Sequence, residues 1–179
     1  MWIRTLFNIW RNFGLKGVFI SLSYSLPSFC PDCEMDPKEI NPEDMPDVAV
    51  SRDYKHCSPA LIKRFINVAT DFAQLYPGKT LLVTTTYRSP AEQNRLFQVG
   101  RTAPGQIATM LDGKNKKSRH NTFPSTALDF CVLIGGKVSF EERELYPVGE
   151  LAKKYGLEWG GFWTRFPDYC HLQLWKADV

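Results

Sequence analysis

Histidine is scarce in this chain: three among 179 residues, His56, His120 and His171. Any metal site built on imidazole therefore has few candidates. Cysteine is sparse and irregularly placed, with five in all, Cys30, Cys33, Cys57, Cys131 and Cys170. An odd, irregular set in a chain this long excludes a disulfide framework, and reduced thiols favour synthesis in a cytosol. The CxxC at Cys30-Pro31-Asp32-Cys33 has no second copy and no thioredoxin-like surroundings. It reads as two linker cysteines rather than a redox or zinc motif, and adding Cys57 still leaves no fourth ligand. Charge of one sign is not in great excess, the formal net charge being +3, so nothing calls for a nucleic-acid partner. No apolar run reaches the roughly 18 residues of a membrane-spanning helix.

What is present is enough for one domain with a proper core and too little for two, with 44% hydrophobic residues. Residues 1–29 start basic (Arg4, Arg11, Lys16) and carry Trp2, Ile3, Leu6, Phe7, Ile9, Trp10 and Phe13 at helical spacing. Three readings stand: a weak signal peptide, a helix lying on a membrane surface, or an extension that docks on the domain. Residues 30–49 are acidic and rich in proline (Pro31, Pro37, Pro42, Pro46), which is a linker signature. The domain is expected over 50–179.

That domain opens with a helix. Ser58 is its N-cap, Pro59 its first residue, and Ile62, Phe65, Ile66, Ala69, Phe72 and Ala73 its apolar face, ending at Pro77-Gly78. Thr80–Tyr87 is β-branched and reads as a strand. Ser89 to Glu92 is a capping box opening a second helix, which stops at Gly100. Residues 101–119 form a polar loop. Thr126–Ile134 is a strand, Gly135-Gly136 a turn, Ser139–Tyr155 a helix with a break at Pro147, and His171–Trp175 a last strand. Helices and strands mix without strict alternation, so the fold class is α+β, a small antiparallel sheet with flanking helices.

Asp129 is the residue hardest to explain by packing. It lies between Ala127-Leu128 and Phe130-Cys131-Val132-Leu133, a run that reads as buried on both faces. A buried carboxylate needs a partner or a metal. His120 precedes this strand and His171 begins another. Catalytic zinc takes about three N, O or S ligands with water at an open position, and two imidazoles with one carboxylate meet that need. Asp168, three residues before His171, is placed to exchange a proton with water there. Arg88 follows a strand and suits bidentate contact with a carboxylate or carbonyl. Singly, each of these residues also has an ordinary structural explanation.

Together they fall into blocks. Ser51-Arg52-Asp53 and Ser58-Pro59-Ala60-Leu61 form an opening; Thr86-Tyr87-Arg88-Ser89-Pro90-Ala91-Glu92-Gln93 follows; then Gly100-Arg101-Thr102-Ala103-Pro104-Gly105. Ser118-Arg119-His120-Asn121 with Pro124-Ser125-Thr126-Ala127-Leu128-Asp129 comes next. Trp159-Gly160-Gly161-Phe162-Trp163 with Phe166-Pro167-Asp168-Tyr169-Cys170-His171 closes the series. In this order the blocks resemble the zinc peptidases that include D-alanyl-D-alanine carboxypeptidases and the L-alanyl-D-glutamate peptidases used by phages as endolysins. These share a fold with lysostaphin and the hedgehog signalling domain. The resemblance covers about Val50 to Trp175. It implies one zinc ion held by His120, Asp129 and His171, Asp168 as general base and then acid, and Arg88 as an electrophilic or substrate-anchoring group. Ser118, Gln93 and Trp163 are candidate substrate contacts, and Trp159 and Phe162 shape the cleft or pack beneath it. The interval between His120 and Asp129 is longer than in many members, so a bulging loop is expected there.

The implied reaction is hydrolysis of an amide bond in a peptidoglycan stem peptide by a monomeric enzyme made in the cytoplasm and acting at the cell wall. An L-alanyl-D-glutamate endopeptidase is the first reading and a D-alanyl-D-alanine carboxypeptidase the second. A zinc-bearing binding module without catalysis is a third, which the fold allows.

Overall fold

The computed structural model describes residues 47–178. The expectations for residues 1–29, for most of the linker and for Cys30 and Cys33 lie outside these residues. Among the described residues three helices and five strands are formed: α1 Pro59–Leu75, β1 Lys79–Thr85, α2 Pro90–Gln98, β2 Ala127–Ile134, β3 Lys137–Ser139, α3 Glu142–Lys154, β4 Leu157–Trp159 and β5 His171–Leu174. The α+β class holds, with every strand pairing antiparallel.

β2 is the spine of the sheet. One of its edges runs along β1. The other is divided, Ala127–Asp129 pairing with β5 and Val132–Ile134 with β3, and β4 extends the sheet beyond β5. Because side chains alternate along a strand, this sheet has two chemically distinct faces. Leu81, Val83, Leu128, Phe130, Val132, Leu157, Trp159, Leu172 and Leu174 point to the helices and build the main core. Asp129, Glu158, His171 and Gln173 alternate with these residues and fall on the opposite face. A small second cluster, Leu82, Cys131 and Leu133, packs on that face too.

α1 begins as expected, with the Ser58 hydroxyl accepting from Leu61 N at 3.2 Å. Its buried stripe is Leu61, Phe65, Val68 and Phe72, while Ile62 and Ala69 only flank it. The buried row is i, i+4, i+7, i+11, rotated by part of a turn from the expected face. Ser89 caps α2 by accepting from Glu92 N at 3.2 Å, but the capping box is half formed. The Glu92 carboxylate turns to Arg95, and the Ser89 N–H instead donates to Ala49 O at 2.8 Å. Pro147 lies inside α3 without breaking it. Proline there costs about 3 kcal/mol. The neighbouring Leu145 and Val148 are fully buried, and burial of such side chains contributes roughly 1.5–3 kcal/mol each. Packing therefore outweighs the lost hydrogen bond.

Trp159 sets close tolerances at the end of β4. A Cβ on Gly149 would meet its ring at 2.1 Å and one on Gly161 at 2.4 Å, so both glycines are needed to seat the indole. Its N–H donates to Tyr169 O at 2.8 Å, which ties the loop before β5 to the core. Trp159 is therefore core, whereas Phe162, packed edge-on against it at 4.8 Å, is largely exposed. Among the described residues no helix is long and apolar enough to cross a membrane.

Candidate metal centre and its cleft

The β1–β2 register slips between Val83 and Thr85, opposite Asp129. Such a bulge re-aims the backbone beyond it. Here it turns the Thr86 carbonyl toward His120 Nδ1, at 2.6 Å. His120 sits in a short turn, Arg119–Asn121, capped by Ser118. The Ser118 hydroxyl accepts from His120 N, the Ser118 N–H donates to Asn121 Oδ1 at 2.8 Å, and Asn121 Nδ2 donates to Arg88 O at 2.8 Å. The longer interval before Asp129 is taken up by residues 122–126, whose Ser125 hydroxyl donates to Ala127 O at 2.7 Å.

Asp129 and His171 are register partners on β2 and β5. His120 Nε2, Asp129 Oδ1 and His171 Nδ1 form a near-equilateral triangle with sides of 3.1, 3.1 and 3.2 Å. Each His turns its other nitrogen to an acceptor: His120 Nδ1 to Thr86 O, and His171 Nε2 to Gln173 Oε1 at 3.0 Å. Each imidazole thus turns its remaining nitrogen inward beside a carboxylate oxygen, where it can give a proton to Asp129 or a lone pair to a cation. Three such atoms crowded together need a proton or a cation among them. Donors about 2.0–2.1 Å from a tetrahedral zinc stand about 3.3 Å apart, so the observed spacing fits such an ion. Among the described residues these three form the group that could hold a metal.

Electrostatics agree. Burial pushes the Asp129 carboxyl up, but the two imidazoles reverse this and hold it well below the ordinary carboxylate range. Burial pulls the His171 imidazole down, and its bond to Asp129 with the charges of Asp129 and Asp168 raises it overall. Asp129 Oδ2 accepts from Arg88 Nη2 at 3.1 Å. Arg88 Nη1 in turn donates to Gln93 Oε1 at 3.1 Å. Gln93 is buried, and its amide nitrogen donates to Thr109 Oγ1 at 3.1 Å and Leu111 O at 3.0 Å.

The centre lies on the floor of a cleft of about 550 Å³. Arg88, Ser118, Trp163 and Asp168 also line it. Burial, then the negative charge of Asp129, raise the Asp168 carboxyl above its ordinary value. Gly160 underlies this acid: its carbonyl accepts from Asp168 N at 3.0 Å, and a Cβ there would stand 2.5 Å from Asp168 O. His56 lies elsewhere, with Nδ1 2.7 Å from Ser51 Oγ and its ring edge-on to Phe123. Cys57 packs in the main core, where burial pushes its thiol up to about 12, and it is not part of the triangle. Cys57, Cys131 and Cys170 are free thiols.

The residues expected at the site are therefore all brought to it. Thr86 and Asn121 stand in the blocks singled out above but without the roles seen here, and Glu158 was not foreseen. Glu158 accepts from Gln173 Nε2 and from Trp163 Nε1, both at 2.7 Å.

A histidine–aspartate–histidine triangle on one face of a small antiparallel sheet, beside an acid of raised pKa in the same cleft, is an arrangement that can hold a metal ion and move a proton near it. Residues 112–174, which carry the whole triangle, match the family described as D-alanyl-D-alanine carboxypeptidase. That match is confined to this stretch, which holds β2 to β5. The chain is 35% identical over 107 residues to the peptidoglycan L-alanyl-D-glutamate endopeptidase CwlK of Bacillus subtilis, a match spanning 54% of this chain and 62% of CwlK. Its fold is similar to that of the L-Ala D-Glu endopeptidase ChiX of Serratia marcescens, with a TM-score of 0.50 and 24% identity over 69% of this chain and 84% of ChiX.

Proposed function

We propose that this domain is a zinc metallopeptidase that hydrolyses an amide bond in peptidoglycan stem peptides, as an L-alanyl-D-glutamate endopeptidase. The observation that carries the reading is the triangle of His120 Nε2, Asp129 Oδ1 and His171 Nδ1 on the floor of a cleft that Asp168 also lines. A zinc ion held there supplies Lewis acidity and makes water more acidic. The protein's own groups do the rest. The Asp168 carboxylate takes a proton from the attacking water and returns it to the leaving amide nitrogen, a task its raised pKa suits. Arg88 keeps N–H groups beyond those given to Asp129 and Gln93, and these steady the substrate carbonyl or a nearby carboxylate. Gln93 acts by holding Arg88. Ser118 and Trp163 form walls against which the peptide lies.

The endopeptidase reading is supported by the similarity to CwlK. The second reading, a D-alanyl-D-alanine carboxypeptidase, follows the description of the matching family. Mass spectrometry of peptidoglycan fragments after digestion separates them. New L-alanine carboxyl termini and D-glutamate amino termini, lost with a chelator, are the expected result. Release of free D-alanine alone would overturn the endopeptidase reading. No cleavage by a zinc-loaded protein would leave only a binding module, a role in which Asp168 has no use. Such a substrate places the action at the cell wall, and the unit proposed to act there is a monomer.

A further inference from the structure

The two imidazoles of the triangle are fixed by different means. His120 is held by a backbone carbonyl, Thr86 O, which can only accept, so its proton must lie on Nδ1 and its lone pair on Nε2. His171 faces a side-chain amide, Gln173, which can present either an acceptor or a donor. On its own, Gln173 would permit both tautomers of His171. One places the lone pair in the triangle. The other places a proton there and blocks the site.

Glu158 decides between them. It sits directly opposite Gln173 across β4 and β5, and its Oε2 is 2.7 Å from Gln173 Nε2. The carboxylate accepts and does not donate, so the amide nitrogen must face it. Flipping the amide would set two oxygens against each other at that distance, leaving both without a proton in a half-buried place. Gln173 Oε1 therefore faces His171 and His171 Nε2 carries a proton, which leaves Nδ1 as the nitrogen able to give its lone pair to a metal. The other Glu158 oxygen is pinned by the Trp163 indole N–H at 2.7 Å, and the Trp163 ring lies 5.2 Å from that of His171.

We propose that Glu158 and Gln173 are positioning residues that fix the tautomer of His171 and so determine the strength of metal binding. Trp163 holds Glu158 in place. The proposal rests on the metal reading given above. It assigns to Trp163 a structural use of its only donor, so any contact of this indole with substrate is through the ring face.

The test uses Gln173→Met, Glu158→Leu and the double variant in the intact chain. Two readouts are taken. Zinc affinity is measured by competition with a chromophoric chelator. The proton on each histidine ring nitrogen of the metal-free protein is read from nitrogen-15 chemical shifts over a pH series. Wild type should show His171 with its proton on Nε2. Each single variant should turn this into a mixture of tautomers and weaken zinc binding by about 10–100-fold. The double variant should lose no more than the worse single one, because the two residues act as one chain. His120 should keep its tautomer throughout. Wild-type zinc affinity and an unchanged His171 in a folded Glu158→Leu protein would overturn the proposal. If Gln173→Met loses its near-ultraviolet dichroism, Glu158→Leu decides alone. A wild-type protein that takes no zinc would sink the metal reading, yet the tautomer readout would still decide this one.

Discussion

Asp129 and His171 face each other in register across two strands, with Oδ1 and Nδ1 3.1 Å apart. The sheet itself sets this separation, because β2 and β5 are joined by backbone hydrogen bonds on both sides of the pair. His120 comes instead from a capped turn and completes the triangle from outside the sheet. Its removal should cost metal without unfolding the sheet. His120→Ala is expected to hold less than a tenth of an equivalent of zinc after dialysis, against about one for wild type. Elemental analysis checks this, and stoichiometric zinc in the variant would refute the ligand set.

Asp168 lies outside the triangle, so its loss should separate binding from turnover. Asp168→Asn preserves shape and removes the base. The expected outcome is full zinc content with turnover reduced by about 10²–10⁴-fold. Release of soluble peptides from purified cell walls measures it. Turnover at the wild-type rate would show that another group moves the proton.

Gly160 supports both Asp168 and His171. Its own φ is not in the left-handed region, so alanine meets no backbone objection there. The obstacle is space. A Cβ would stand 2.5 Å from Asp168 O and 3.2 Å from His171 Cβ. The first neighbour is backbone and cannot swing aside. Gly160→Ala should therefore destabilise by about 1–3 kcal/mol and lower activity further than that loss explains. Denaturant melts and a wall-lysis assay on the same sample test it, and a variant with unchanged activity would count against the tight fit.

The chemistry of this site was legible before its geometry. His120 and His171 were conspicuous because histidine is rare, and Asp129 because it interrupts an apolar strand. Alternation along β5 put Gln173 on the face of His171. Glu158 was not legible, since β4 has three residues and too short a run to display a period of two. Thr86 was hidden for a different reason: it acts through its carbonyl, which any residue has. The misplaced stripe of α1 and the half-formed box at Ser89 show the same limit. Sequence gives the apolar and capping residues, while tertiary partners such as the β-sheet and Ala49 select among them.

A last prediction concerns stability far from the site. Asp71 on α1 accepts from Lys154 Nζ at 2.7 Å and from the Tyr155 hydroxyl at 2.5 Å, which clips α1 to the end of α3. The bond from Lys154, then that from Tyr155, hold the Asp71 carboxyl below its ordinary value. A carboxyl whose folded pKa lies below its unfolded one, about 3.9, stabilises the fold above that pH. The contribution fades as pH falls through the folded value. Lys154 is well exposed, and water screens such a pair. Asp71→Asn should therefore lower Tm at pH 7 by no more than about 3 °C. The gap between variant and wild type should close as the pH is taken below about 4. Thermal melts across that range test it, and a gap that widened toward acid would show that Asp71 stabilises the fold in its protonated form.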